Sequence, residues 1–189
     1  MKATLFFAAA LVLGLSISAA EIPMKLGLYN GNKNTVIADN VITVNNTDAQ
    51  LGGAASTVNL NQKAPAKIVL SGESLCEESL SKGKNAMDYS LYVDLTYADG
   101  TKSYADLKKG TCVPFSTDTK EWQKKSVVLN DAKAIKQLRI YILYRWQTGK
   151  VQFKNLKLEE FPAENKEKKD HIQHHEYAYQ EHPSGFSGC

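Results

Sequence analysis

Apolar and polar positions alternate most cleanly over residues 89–98. Tyr89, Leu91, Val93, Leu95 and Tyr97 fall on one face, and Ser90, Tyr92, Asp94 and Thr96 on the other. A period of two marks a half-buried strand, because successive side chains leave a pleated backbone on opposite sides. Asp99 and Gly100 close this run and residues 101–104 continue it. Asp-Gly suits the positive φ of a two-residue turn, so a hairpin is predicted with its register fixed there. Residues 136–146 alternate in the same way, with Leu138, Ile140, Ile142, Tyr144 and Trp146 sharing the predicted core face and Gln137, Arg139, Tyr141, Leu143 and Arg145 the opposite one. After a turn at Gln147, Thr148 and Gly149, the apolar phase slips from Val151 and Phe153 to Leu156 and Leu158. A one-residue β-bulge near Lys154 and Asn155 explains the slip.

Shorter β-like runs occupy residues 25–29, 40–44, 56–60, 67–70 and 126–129, separated by turn-forming residues such as Asn30 with Gly31, Gly52 with Gly53, and Ser71 with Gly72. Many short strands with dense turn signals and almost no helix signal predict an all-β chain, a two-sheet antiparallel β-sandwich or jelly roll.

The ends of the chain read differently. Lys2, an apolar run over residues 5–15, and small Ala19 and Ala20 before Glu21 form a cleavable secretory signal over residues 1–20. Its apolar run is shorter than the roughly 20 residues needed to span a bilayer, and no cysteine follows the cut, so neither a membrane span nor a lipid anchor is expected. The mature protein is therefore expected to be secreted, extracellular or at the cell surface, with the periplasm as another destination. Residues 21–162 hold one domain, and residues 163–189 form a charged tail or linker, disordered or partly helical, containing all four histidines, His171, His174, His175 and His182. The formal charge of +3 comes from lysines interleaved with acidic residues. No clustered basic footprint points to nucleic acid.

All three cysteines, Cys76, Cys112 and Cys189, lie in the exported part, where disulfides persist. Cys76 and Cys112 both fall in loop-like sequence flanking the first hairpin. A bridge between them is the favoured expectation, worth about 3–4 kcal/mol if the geometry allows it. Two reduced thiols are the alternative. No C-x-x-C or Cys/His spacing argues for a zinc site, and a weak metal site from His171 with His174 or His175 on one helical face is the alternative to the expected solvated tail.

The chain shows no Gly-x-Ser-x-Gly elbow, no His-Glu-x-x-His and no phosphate-binding glycine loop, and every histidine lies in the tail, so a non-catalytic protein is expected. What the predicted outward faces carry is aromatic and planar polar side chains: Tyr92 with Asp94, and Arg139 with Tyr141 and Arg145. Flat rings flanked by bidentate hydrogen-bonding groups suit the C–H faces and hydroxyls of a saccharide. The same tyrosines could instead stabilise an exposed sheet by cross-strand packing, with Arg139 paired to Asp94. Trp146, ending its strand beside a turn, fits a core edge or a loop-end site equally well. Trp122 is expected as a packing lid over the end of the sandwich.

Three blocks carry a family resemblance: residues 88–100, residues 113–125 with Trp122, and residues 134–149 with Tyr141, Arg145 and Trp146. Over residues 51–160 the chain resembles the galactose-binding-fold, carbohydrate-binding-module-like jelly rolls of secreted bacterial glycoside hydrolases and surface proteins. The resemblance implies a non-catalytic module that binds a polysaccharide or oligosaccharide and targets a tethered glycoside hydrolase to it. The candidate ligand residues are then Tyr92, Asp94, Arg139, Tyr141, Arg145 and Trp146. Glu73 stands where an aromatic is usual, residues 104–110 replace a short turn, and Lys154 and Asn155 replace two aspartates. That last change removes carboxylate oxygens from a structural Ca²⁺ site, which needs six to eight oxygen ligands, so no cofactor is expected. A structural or adhesion module that binds protein rather than sugar is the competing expectation.

Overall fold

The computed structural model describes residues 18–162; most of the signal segment, the tail with its histidines, and Cys189 lie outside the described residues. The strands in chain order are β1 (Ala20–Glu21), β2 (Gly27–Leu28), β3 (Thr35–Ala38), β4 (Val41–Asn46), β5 (Gly53–Asn59), β6 (Lys67–Ser79) and β7 (Tyr89–Tyr97). They continue as β8 (Lys102–Ser103), β9 (Cys112–Pro114), β10 (Gln123–Leu129), β11 (Ile135–Tyr144) and β12 (Gly149–Phe161). Single 3-10 turns at Tyr29–Gly31 and Ala86–Asp88 interrupt them.

Two antiparallel sheets result. The first runs β10-β6-β12-β4-β3 with β1 added on β12, and the second runs β2-β5-β11-β7-β8 with β9 also on β7. Each turns one face inward, as the alternation requires. Leu91, Val93 and Leu95 of β7 and Leu138, Ile140 and Ile142 of β11 meet Ile42, Leu70, Val127, Val151 and Phe153 of the first sheet, all of them buried. Tyr89, Phe115, Tyr144 and Phe153 close one end of this core with ring centroids 5.3–5.8 Å apart. Ser74 Oγ donates to the Gln152 carbonyl at 2.8 Å, which leaves it to accept from the Tyr89 hydroxyl at 2.7 Å. A buried phenol thereby keeps a partner.

The predicted bulge is present: the β12–β6 register breaks between Lys154 and Lys157, and Asn155 takes φ +52°. The predicted two-residue hairpin is not. Ala98, Asp99 and Gly100 make a longer loop in which only Gly100 has positive φ, and its N–H donates to the Tyr97 carbonyl at 3.0 Å. Asp99 instead turns its carboxylate to Thr101 and to Lys133, 2.8 Å away.

Two further expectations are corrected. Cys76 and Cys112 are buried free thiols and not a bridge. Cys76 points into the core from β6 of the first sheet, whereas Cys112 on β9 of the second sheet stands opposite Tyr92, on that sheet's outer side. The second sheet itself separates them. Trp122 is no lid: it is 38% exposed beside the first sheet's outer face, with the Lys154 ammonium 3.7 Å from its ring centre.

Candidate functional site

The two outer faces differ in chemistry. On the first sheet, lysines and glutamates compensate one another, with Lys150 to Glu77 at 2.7 Å, Lys157 to Glu159 at 2.8 Å and Lys154 to Glu73 at 3.9 Å. This is an ordinary solvated ladder.

On the second sheet, strand register sets out a different surface in rows across β5, β11 and β7. Asn59, Gln137 and Thr96 form one row, Thr57, Arg139 and Asp94 the next, and Ala55, Tyr141 and Tyr92 the third. The third row continues to Gly27 on β2 and Cys112 on β9. Gly27 and Ala55 put no bulky side chain beside Tyr141 in this row, and a Cβ placed on Gly27 would meet no atom within 4 Å. Tyr29, at the start of its 3-10 turn, meets Tyr141 edge-on at 5.5 Å, and Tyr92 meets Tyr141 at 5.1 Å. Tyr141 is only 8% exposed, while Tyr29 and Tyr92 keep more of their surface in solvent.

The charged neighbours are committed to different degrees. Arg139 stands opposite Asp94, yet its guanidinium lies 5.4 Å from the Tyr141 ring centre and, among the described residues, makes no ion pair. Asp94 Oδ1 instead accepts from the Ala105 N–H at 2.9 Å, anchoring the loop after β8. Arg145 pairs with Asp88 at 3.0 Å, mostly buried. Trp146 has left the apolar face altogether and is 49% exposed at the end of β11.

Electrostatics keep the phenols of this surface neutral and hydrogen-bonding. Burial, then the nearby Asp94 carboxylate, pushes the Tyr92 phenol upward against the opposing pull of Arg145. Burial also raises Tyr141 against the nearby Arg139 charge. Cys112 is raised by burial in spite of a hydrogen bond with Ser90 and the proximity of Arg145, so its thiol stays protonated at neutral pH.

Of the six residues expected at a ligand surface, Tyr92, Tyr141 and Arg139 come together. Asp94 and Arg145 adjoin them but are occupied by protein partners, and Trp146 sits beyond the strand end. The sequence reading missed Tyr29, which no local periodicity assigns to this face. Among the described residues no group of three or more His, Cys, Asp or Glu side chains gathers as a metal site.

No family model matches the chain. It is 34% identical over 118 residues to the tRNA nuclease WapA of Bacillus subtilis strain 168 and to the tRNA3(Ser)-specific nuclease WapA of Bacillus spizizenii. The match covers 59% of this chain but spans only 5% of the length of those relatives. Among solved structures, a family 16 carbohydrate-binding module is similar with TM-score 0.46 and 11% identity, over 69% of this chain and 89% of that one. The xylan-binding module CBM15 is similar with TM-score 0.43 and 10% identity, over 78% and 98%.

Proposed function

We propose that this protein is a secreted, non-catalytic carbohydrate-binding module whose ligand lies along the outer face of the second sheet. One observation carries the reading. Of two solvent-facing sheet surfaces, the first carries a Lys/Glu ladder, and the second groups Tyr29, Tyr141 and Tyr92 beside Thr57 and Arg139, with the paired amides of Asn59 and Gln137 one row further along. Tyrosine rings offer an apolar surface to sugar C–H groups, and the amide, hydroxyl and guanidinium groups beside them match a ring of hydroxyls. The relatives' great length supports a module working within, or for, a larger protein, and a tethered glycan-active enzyme is the proposed beneficiary. The nuclease activity in their names belongs to whole proteins of which the matched stretch is one-twentieth.

A second reading, adhesion to protein through a purely structural sheet, is favoured by the 8% exposure of Tyr141. Affinity electrophoresis of the mature chain against neutral and acidic polysaccharides separates the two. Retention by at least one polysaccharide is expected, weakened about tenfold or more by Tyr92→Ala, equivalent to about 1.4 kcal/mol. Arg139→Ala is expected to weaken it less. Mature protein that no polysaccharide retards, but that captures a protein partner through the same face, would establish the adhesive reading.

A further inference from the structure

Trp146 holds φ +56°, a left-handed conformation in which a bulky side chain is a rare outlier. The surroundings enforce it. The Trp146 N–H donates to the Gln50 carbonyl at 2.9 Å, the Arg145 N–H before it donates to Asp88 at 2.9 Å, and the carbonyl of Gln147 after it accepts from Asn46 Nδ2 at 3.0 Å. A backbone so over-determined stores strain, and here the strain presents an indole to solvent and not to the core. The indole borders a cleft of about 370 Å³ lined by Asn30, Asn32, Ala49, Gln50 and Leu51, with no charged side chain among them. Asn32 Nδ2 donates to the Tyr29 and Gly53 carbonyls at 2.6 and 3.0 Å, which fixes the amide's orientation. Its Oδ1 is enclosed without a hydrogen-bond partner among the described residues, so Asn32 braces the Tyr29 turn against β5 while the exposed Asn30 and Gln50 amides line the cleft. Tyr29 joins this cleft to the tyrosine surface, since it packs on Tyr141 and directly precedes Asn30.

We propose that this cleft is a further saccharide subsite, in which Trp146 stacks on an uncharged sugar ring and the exposed amides of Asn30 and Gln50 meet its hydroxyls. It rests on the reading of the second sheet's outer face as a carbohydrate surface. A cleft walled by amides and an indole, with no cation, has nothing to compensate a carboxylate or phosphate, so it selects neutral sugars.

The test uses Trp122→Phe, which leaves Trp146 as the sole tryptophan. This variant is titrated with β-1,4-linked gluco-, xylo- and manno-hexaoses and with an oligogalacturonate, while affinity is followed by calorimetry on the wild type and on Trp146→Asn. A saturable change in Trp146 emission with a neutral hexaose is expected, and none with the acidic oligomer. Trp146→Asn is expected to lose tenfold or more in affinity while its Tm stays level or rises, because asparagine adopts this φ at little cost. A neutral hexaose bound equally by wild type and Trp146→Asn, with Trp146 emission unmoved, overturns the subsite and leaves the carbohydrate reading intact. A lowered Tm at unchanged affinity likewise makes Trp146 structural. Equal binding of the acidic oligomer at Trp146 overturns the charge selection, and wild type that binds no oligosaccharide sinks the underlying reading and this subsite with it.

Discussion

Arg145 shows how a residue can be placed on the right face and still be assigned the wrong work. Alternation along β11 puts it outward with Arg139 and Tyr141. Its guanidinium, however, is held by Asp88, whose carbonyl also accepts the Arg145 N–H. Asp88 Oδ2 in turn accepts from the Asn85 N–H, completing a capping box on the Ala86–Asp88 turn. Asp88→Ala therefore strips the partner from a half-buried cation and frees a cap at once. A loss of about 2–4 kcal/mol is expected from urea unfolding. An unchanged midpoint would mean that the pair is replaced by water at no cost. These partners are 57 positions apart, and periodicity carries no information on them. The same holds for Asp94: register sets it opposite Arg139, but a backbone N–H from the following loop takes its oxygen first. Tyr92, Tyr141 and Arg139 were legible because a face is a local property. Tyr29 was not, because its place depends on where β2 docks.

Strands were the most legible elements, since alternation and burial impose the same period on β7 and β11, and the phase slip in β12 announced its bulge. Connections were harder to read. The loop at Ala98, Asp99 and Gly100 carries a hairpin signature, yet Asp99 gains more from Lys133 and Thr101 than from adopting a positive φ. The cysteines failed as a pair for a similar reason: loop-like composition around Cys76 concealed a strand running to Ser79, whose inward face buries the thiol. The β11–β12 turn depends on a glycine in a stronger sense. Gly149 has φ +133°, and a Cβ there would stand 2.2 Å from the Glu78 carbonyl oxygen and 2.8 Å from the Tyr144 hydroxyl. Gly149→Ala is expected to cost about 3 kcal/mol or more, because both the backbone conformation and a neighbouring strand's carbonyl oppose it. A shift in urea midpoint with an unchanged slope would report this. A variant as stable as the wild type would mean that β6 can retreat from β12 at little cost.

For the whole molecule, the sandwich followed from many short strands, but which residues close its ends did not. The end near Gly149 is sealed by phenols: Tyr89 and Tyr144 lie edge-to-face at 5.3 Å, with Phe115 and Phe153 against Tyr89. Burial drives both phenols far above the ordinary tyrosine range. Tyr92, Tyr97 and Tyr141 are shifted the same way by the same leading cause. A raised folded-state pKa means the folded chain keeps protons that the unfolded chain surrenders. The stabilisation is thus fully present below the unfolded tyrosine pKa of about 10 and is lost as pH rises beyond it. Each phenol that ionises only on unfolding contributes a slope of up to about 1.4 kcal/mol per pH unit. Urea midpoints are therefore expected to fall steeply between about pH 10 and 12. The Tyr144 share of the tyrosinate absorbance, read as the difference between the wild type and Tyr144→Phe, should appear together with the loss of far-ultraviolet strand signal and not before it. Tyr144→Phe gives up the hydrogen bond to the Thr148 carbonyl at 3.0 Å, yet should flatten the alkaline slope because one of the two most strongly shifted phenols no longer titrates. That difference absorbance forming well ahead of unfolding, with the fold intact, would show that the Tyr144 ring reaches solvent and that this end of the sandwich opens without global unfolding.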